Sequence, residues 1–252
     1  MIISSPKDCD IVELKALWKE AFGDTDEFIN SFFDAAFQEK RCRCAKTGDK
    51  VIAALYWFDC EYQGQKAAYL YAIATAKSER GKGVCRELMQ IVQSELEQMG
   101  YVGSMLVPCK QDLFAFYNKL GYNDVCYINE FEVLPSNKVE FRKISKEEYG
   151  ILRKSFLPKS AVLQEGENLD FLALSCEFYL GDGFIFIAYK EDTILYVTEL
   201  LGNIDIASGI VAAFDCNKGI FRTVGNKKPF ALWMPIGTKK LPCPDYFGFA
   251  FD

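Results

Sequence analysis

The segment that most constrains the fold lies at residues 67–99, where an apolar stretch leads through a glycine-rich loop into an amphipathic stretch. Residues 67–75 are almost entirely apolar and predict a strand. Beyond the loop Arg80-Gly81-Lys82-Gly83, apolar residues recur at helical spacing and predict a helix that Gly100 ends. The apolar stripe of this helix comprises Val84, Leu88, Ile91, Val92, Leu96 and Met99.

The rest of the chain also alternates strand and helix patterns. Helices are predicted at 11–37 with a break at Gly23-Asp24, and at 111–120, 146–156 and 204–214. Strands are predicted at 41–45, 51–60, 104–107, 125–133, 183–190, 193–199, 220–223, 230–233 and 246–251. The order strand, hairpin, strand, loop, helix, strand occurs around 51–107 and again around 183–234, which indicates a weak structural duplication. We therefore predict an α/β fold with a mixed sheet.

A polar, proline-containing break at residues 134–138 suggests a boundary between two modules. A chain of 252 residues can form one large domain or two smaller ones, each with its own core. The predicted domains are 1–134 and 139–252.

The chain contains no histidine, which narrows the chemistry open to it. Catalysis by Ser-His-Asp or Cys-His arrangements is excluded. Any proton transfer must use Glu, Asp, Tyr, Lys, Cys or water. The net charge of −6 argues against nucleic-acid binding as the main function, so no nucleic-acid partner is expected.

Ten cysteines are scattered through the chain, and we expect them to be reduced thiols. Cys42 and Cys44 would share one face of a strand, but a zinc site needs two further ligands, so no metal is predicted. No apolar run approaches the ~20 residues that span a bilayer, and the first residues lack the pattern of a signal peptide. The expected location is the cytoplasm, without a membrane partner.

The glycine-rich loop suits an anion. A helix N-terminus exposes unpaired N–H groups with a partial positive charge, and glycines let an anion approach them closely. With Arg80 and Lys82 added, the loop is suited to a pyrophosphate. It matches neither the ATP-type phosphate loop nor the dinucleotide fingerprint. Taken alone, a glycine-rich loop between strand and helix is more often a simple turn.

Two motifs together resemble a known family. Residues 80–85, Arg-Gly-Lys-Gly-Val-Cys, resemble the Arg/Gln-x-x-Gly-x-Gly/Ala signature of the GNAT superfamily of N-acetyltransferases, with Cys85 where glycine or alanine is usual. Residues 114–122, which include Phe116-Tyr117-Asn118-Lys119-Leu120-Gly121-Tyr122, resemble the family's Phe-Tyr-x-Lys-x-Gly-Phe/Tyr motif. The resemblance covers roughly residues 1–133. It implies a GNAT-like fold, with a second, degenerate GNAT-like module in the C-terminal half.

The resemblance implies transfer of an acetyl group from acetyl-CoA, as co-substrate, to a primary amine. Tyr117 would protonate the departing CoA thiolate, although it could also be a half-buried packing residue on an amphipathic helix. The residues implied in binding the thioester and pantetheine arm are Ile73, Ala74 and Thr75. The residues implied in binding the pyrophosphate are Arg80, Gly81, Lys82, Gly83, Val84 and Cys85.

The base that would deprotonate the amine is left open. Glu27, Asp59 and Glu61 are candidates by residue type, and a water relay is equally plausible. In the C-terminal half the equivalent loop, residues 200–205, has one glycine and no cation, and Asp205 would repel a pyrophosphate. This half is expected to shape the substrate cleft, to which the Asp252 carboxylate could contribute.

Three function classes stay open. The first is an acetyltransferase acting on a small-molecule or peptide amine. The second is a module that binds acyl-CoA without turnover. The third is a tRNA-dependent aminoacyl transferase of similar tandem architecture, which a salt-dependent tRNA-binding test would reveal. The sequence identifies neither the amine acceptor nor the oligomeric state.

Overall fold

The computed structural model describes residues 1–238 and 240–251. These residues form two compact units. The first unit comprises Met1–Asp124 with Leu232–Cys243, and the second comprises Val125–Ala231 with the segment that begins at Pro244. Each unit thus combines segments that are distant in the sequence. The predicted domain division, 1–134 and 139–252, stays a prediction.

The elements are numbered here in chain order. The helices are α1 (Ile11–Phe22), α2 (Asp26–Ala35), α3 (Val84–Gln98), α4 (Gln111–Asn118), α5 (Lys146–Phe156), α6 (Glu167–Leu172) and α7 (Ala207–Ala213). The first strands are β1 (Ile2–Ser4), β2 (Cys42–Thr47), β3 (Lys50–Tyr62), β4 (Gln65–Thr75), β5 (Gly103–Leu106), β6 (Asp124–Val133) and β7 (Phe141–Ile144). The remaining strands are β8 (Ala161–Val162), β9 (Glu177–Gly181), β10 (Phe184–Glu191), β11 (Ile194–Gly202), β12 (Lys218–Val224), β13 (Lys228–Pro235) and β14 (Tyr246–Phe247).

The mixed α/β fold predicted from the sequence is confirmed. The first predicted helix is divided into α1 and α2, with Gly23 in the left-handed conformation ending α1 and the Thr25 side chain capping α2. The sequence analysis missed short elements, namely β1, β7, β8, α6 and β9. It also extended the last strand to residue 251, whereas β14 ends at Phe247.

The first unit is a sheet in the order β1, β2, β3, β4, β5 and the end of β13. Neighbouring strands are antiparallel except β4 and β5, which are parallel and are joined through α3. The final residues of β13, from Leu232 to Pro235, pair antiparallel with β5. Because parallel neighbours need a crossover, α3 lies against the sheet, on β2, β3 and β4.

Alternation along β3 divides the helices of the first unit between two faces. Tyr56 points to α1 and α2, where it packs against Trp18 and Phe32 with ring centroids 5.4 and 5.1 Å away. On the other face, Arg43 of β2 lies over the Trp57 ring and forms an ion pair with Glu95 of α3. The sheet of the first unit is therefore covered on both faces.

The second unit is a sheet in the order β6, β12, β11, β10, β9 and β7, with a separate parallel pair of β8 and β14. Only β11 and β12 are parallel in the main sheet, and α7 joins them. The α7 residues Ala207, Ile210 and Val211 belong to an apolar core that includes Phe186 and Phe221.

The opposite face of the second sheet contains a fully buried ion pair. Glu199 of β11 accepts hydrogen bonds from Arg153 of α5 at 2.7 and 2.8 Å. Its two oxygens also accept from the hydroxyls of Tyr149 (2.7 Å) and Tyr246 (3.1 Å). The Arg153 guanidinium lies over the Phe249 ring, 4.9 Å from its centroid. The carboxylate therefore has four donors, which offset its removal from water.

Candidate functional site

The site begins where β4 and β5 separate. These strands pair in parallel only over Ala67–Tyr69 with Gly103–Met105. Strand β5 ends at Leu106, whereas β4 continues to Thr75 while pairing with β3. Strand β4 also contains a bulge, in which Ala72 adopts a positive φ of 46°. The β5-facing edge of β4 beyond Tyr69 is therefore left without a partner strand.

The loop from β4 into α3 is shaped for close approach to its backbone. Gly81 and Gly83 have φ values of 79° and 88°, which L-residues rarely adopt. A Cβ added at either glycine would meet no atom within 4 Å, so both face open space among the described residues. Glycine therefore stands at two positions where the turn requires a left-handed backbone and where the space beside the backbone is open.

The first turn of α3 leaves its amides unpaired. The first bond into the helix runs from Glu87 N to Gly83 O at 3.1 Å, and no side chain caps this end. In the described part of the chain, the amides of Gly83, Val84 and Cys85 have no hydrogen-bond acceptor. These amides add to the positive end of the helix dipole, so the loop can bind an anion.

The two cations of the loop have different partners. The Arg80 Nε donates to Thr75 O at 3.1 Å, which ties the loop back to the end of β4. Lys82 forms an exposed ion pair with Glu79 at 3.2 Å. Exposed pairs of this kind contribute little energy, so the Lys82 ammonium can exchange Glu79 for an anionic ligand at small cost.

Tyr117 lies close to the loop. Its side chain is 7% exposed, and its hydroxyl has no hydrogen-bond partner among the described residues. Burial raises the pKa of this phenol, and the nearby Cys85 thiol contributes to the rise. Burial likewise raises the pKa of Cys85 to about 11, opposed by a hydrogen bond with Thr75. The structure therefore brings together Thr75, Cys85 and Tyr117, which lie on three different elements.

Tyr122 has a role that the sequence analysis did not recognise, although it lies in the second motif. It is fully buried, and its hydroxyl lies 2.7 Å from Ser104 Oγ of β5. Gln93 Nε2 of α3 donates to Ser104 Oγ at 2.7 Å and also to the Tyr122 hydroxyl. These three side chains join α3, β5 and the segment after α4 at one buried point.

Two of the candidate bases, Asp59 and Glu61, lie away from this group. Asp59 is paired with Ala68 in the β3–β4 ladder, and Ala68 lies seven residues before Thr75 along β4. At about 3.3 Å per residue, this places it roughly 20 Å from the end of β4. Its carboxylate forms an ion pair with Arg41 at 3.2 Å and accepts from the Tyr101 hydroxyl. Glu61 is further along the same strand, and Glu27 is exposed in the first turn of α2.

In the second unit, the two parallel strands joined by the crossover helix α7 do not separate as β4 and β5 do. Strands β11 and β12 remain paired as far as Leu200 and Thr223, and Thr223 Oγ1 donates to Leu200 O at 2.6 Å. In the loop before α7, Asn203 Oδ1 accepts from the Asp205 amide at 3.0 Å. Asp252, a predicted contributor to the cleft, lies outside the described residues.

The described residues contain neither a metal-binding cluster nor a membrane-spanning helix. Across 1–238 and 240–251, no group of three or more Cys, Asp or Glu side chains is arranged to hold a metal ion. Within the same ranges, no helix has the length and apolar character needed to cross a membrane. The ten cysteines are free thiols.

Comparison with solved structures shows what the chain resembles. The GCN5-related N-acetyltransferase from Kribbella flavida superposes with a TM-score of 0.69 and 16% identity, covering 93% of this chain and 69% of that protein. A probable N-acyltransferase from Enterococcus faecalis V583, a conserved protein of unknown function, gives a TM-score of 0.71 and 13% identity over 93% of this chain and 72% of that protein. A putative acetyltransferase from Pyrococcus horikoshii gives 0.65 and 13% identity over 97% and 92%.

Sequence comparison with curated proteins finds no match. Residues 3–125 match the family model described as an acetyltransferase (GNAT) domain. That range contains both motifs and the opening between β4 and β5. The fold supports acyl transfer, and the match assigns residues 3–125, just under half of the chain, to an acetyltransferase domain of the GNAT type.

Proposed function

We propose that this protein transfers an acetyl group from acetyl-CoA to a primary amine of a small molecule or a peptide. The observation that carries the proposal is Tyr117, a largely buried side chain that lies beside Cys85 at the start of α3 and whose hydroxyl has no partner in the described chain. Because no group in the described chain accepts its proton, this hydroxyl is available to donate to a bound ligand.

The residues present fit acetyl-CoA. The unpaired amides of Gly83, Val84 and Cys85, together with Lys82, suit the pyrophosphate. The free edge of β4 over Ile73–Thr75 offers backbone groups to the amide-containing pantetheine arm. Acetyl-CoA supplies the thioester that the amine attacks. Anion binding by the loop and strand-like pairing along β4 then align the thioester with the opening.

Tyr117 would supply the proton that the departing thiolate needs. Its raised pKa keeps the phenol protonated at neutral pH, which is the state required of a proton donor. A thiol has an ordinary pKa of about 8.5, so transfer from the phenol to the thiolate is uphill, and it must accompany bond cleavage. Water can carry the proton lost by the amine, since Asp59 and Glu61 lie at the other end of the strands.

The test combines acetyl-CoA with a panel of small amines and lysine-containing peptides, and detects the acetylated product by mass spectrometry. Thiol-reactive dyes are unsuitable because Cys9 and Cys109 are exposed. Tyr117→Phe keeps the ring and removes the hydroxyl. Its single-turnover rate is expected to fall by about 10²–10⁴-fold with little change in CoA affinity.

Tyr127→Phe is the matched control, because Tyr127 is 39% exposed on β6 in the second unit. It should retain the wild-type rate. An unchanged single-turnover rate in Tyr117→Phe would remove Tyr117 from the mechanism. CoA binding without acetylation of any amine would overturn the proposed activity in favour of a binding module.

A further inference from the structure

We propose that Tyr122 is a positioning residue for this reaction, which holds the Tyr117 hydroxyl in place beside the opening between β4 and β5. The inference rests on the proposed function, in which Tyr117 donates the proton. Tyr122 itself is fully buried, and its ring packs edge-to-face against that of Tyr117.

Tyr117 is held in position by the groups that pack around its ring. Its hydroxyl has no hydrogen bond within the described chain, so the position of the phenol depends on its ring contacts and its backbone. The neighbouring rings are Phe116 and Tyr122, with centroids 5.1 and 6.1 Å away and edge-to-face geometry. Phe116 is adjacent in sequence and moves with the same helix end. Of these two ring contacts, Tyr122 is therefore the one that relates Tyr117 to the rest of the unit.

The turn between Tyr117 and Tyr122 is closed by hydrogen bonds. The Tyr122 amide donates to Tyr117 O at 3.2 Å. With its amide nitrogen turned towards two carbonyls, Asn118 donates to Tyr122 O at 2.6 Å and to Phe114 O at 3.2 Å. The backbone after α4 is thus closed on itself, and a shift of the Tyr122 ring would be transmitted to Tyr117.

The hydrogen bonds of the Tyr122 hydroxyl, here called its anchor, fix the Tyr122 ring. Its hydroxyl binds Ser104 on β5 and Gln93 on α3, both within the first unit. Ser104 pairs with Ala68, one position before the last β4–β5 pair. Gln93 belongs to the helix whose first turn forms the anion loop. The anchor therefore relates Tyr117 to β5, at one edge of the opening, and to α3, which carries the anion loop. Displacements of about 1 Å in such geometry can cost roughly 10²-fold in rate.

Tyr122→Phe tests this by keeping the ring and removing the anchor. Single-turnover acetylation is expected to slow by roughly 10-fold to 100-fold, with CoA affinity unchanged within about twofold. The decisive measurement is a double-mutant cycle with Tyr117→Phe. If Tyr122 acts through Tyr117, then Tyr122→Phe in the Tyr117→Phe background changes the remaining rate by less than about twofold.

Tyr101→Phe is the control for the loss of a buried tyrosine hydroxyl elsewhere in the unit, since Tyr101 donates to Asp59. It should leave the rate unchanged. Equal slowing by Tyr122→Phe in both backgrounds, or no slowing in the wild-type background, would overturn the inference. Should Tyr122→Phe fail to fold, Ser104→Ala removes one partner of the same hydroxyl and must show the same dependence on Tyr117.

A readout without turnover separates this inference from the proposed function. With 3-fluorotyrosine at position 117, the ¹⁹F resonance should shift or broaden in Tyr122→Phe and stay unchanged in Tyr101→Phe. If the wild-type protein acetylates no amine, the proposed function fails, yet the spectrum still tests the anchor. An identical resonance in Tyr122→Phe and the wild type would overturn the inference that Tyr122 positions Tyr117.

Discussion

Replacing Gly83 by valine tests whether the loop before α3 binds the pyrophosphate or merely turns the chain. Gly83 adopts a φ of 88° and is the residue from which α3 starts. A Cβ at this position would meet no protein atom within 4 Å. The Cβ of valine would therefore fit without a clash, and the side chain would extend into the open space beside the unpaired amides of Val84 and Cys85.

The magnitude follows from two separate costs. A non-glycine residue at this φ costs roughly 1–3 kcal/mol of strain, which a domain with about 5–15 kcal/mol of stability tolerates. Each charge-assisted hydrogen bond to the pyrophosphate contributes about 1.5–3 kcal/mol, and valine should remove one or two of them. The CoA dissociation constant should then rise at least about tenfold.

Isothermal calorimetry with CoA at fixed salt measures the affinity, and thermal unfolding followed by circular dichroism measures the stability. Gly100→Val is the matched control. Gly100 follows the other end of α3, has a φ of 82° and also faces open space. Both variants should lose similar stability, but only Gly83→Val should lose affinity. Equal CoA affinities in the two folded variants would refute the assignment of the loop.

Three further predictions concern the rest of the chain. Calorimetry should find one CoA site per chain, and two equivalent sites would contradict this. Arg153→Met leaves the buried Glu199 carboxylate with its two tyrosine donors but without its cationic partner, so the free energy of unfolding in urea should fall by about 3–5 kcal/mol. A loss below about 1 kcal/mol, typical of an exposed pair, would show that the ion pair is unimportant. Hydrogen bonding to Lys46 holds the pKa of Asp10 below its ordinary 3.8, so its stabilising effect is present above that pH and is lost as the pH falls through the lowered pKa. The stability difference between the wild type and Asp10→Asn should therefore shrink below pH 3.8, and a difference that persists in acid would exclude this cause.

The parts predicted from the sequence are those that local patterns determine. Helix α3 was predicted from its apolar stripe and its two glycines, and the structure places it at Val84–Gln98. The glycine-rich loop at 80–83 was likewise predicted, and its Gly81 and Gly83 adopt the left-handed backbone that glycine permits. Such features depend on neighbours within one or two turns, so a single sequence contains most of the information they need.

The parts that could not be predicted depend on pairings between distant residues. The end of β13 pairs with β5 across more than a hundred residues, and β6 pairs with β12. No local pattern records these partners. The same holds for Asp59, a candidate base by type, because only the register with Ala68 shows how far it lies from Thr75. The hydroxyl contacts of Tyr122 also require the packing of α3 on β5.

Comparison of the two units separates two features that could open a site, namely the bulge in one strand and the length of the neighbouring strand. Both contain a bulge in the strand that precedes the crossover helix, near Ala72 in β4 and at Thr198 in β11. The bulge therefore does not by itself separate the strands. Strand β12 stays paired beyond its neighbour's bulge, whereas β5 ends at Leu106, two residues before Pro108. Proline cannot donate a ladder hydrogen bond and terminates such strands. The early end of β5 is thus what exposes the edge of β4, and the second unit, which keeps its ladder closed, lacks an equivalent edge within its described residues.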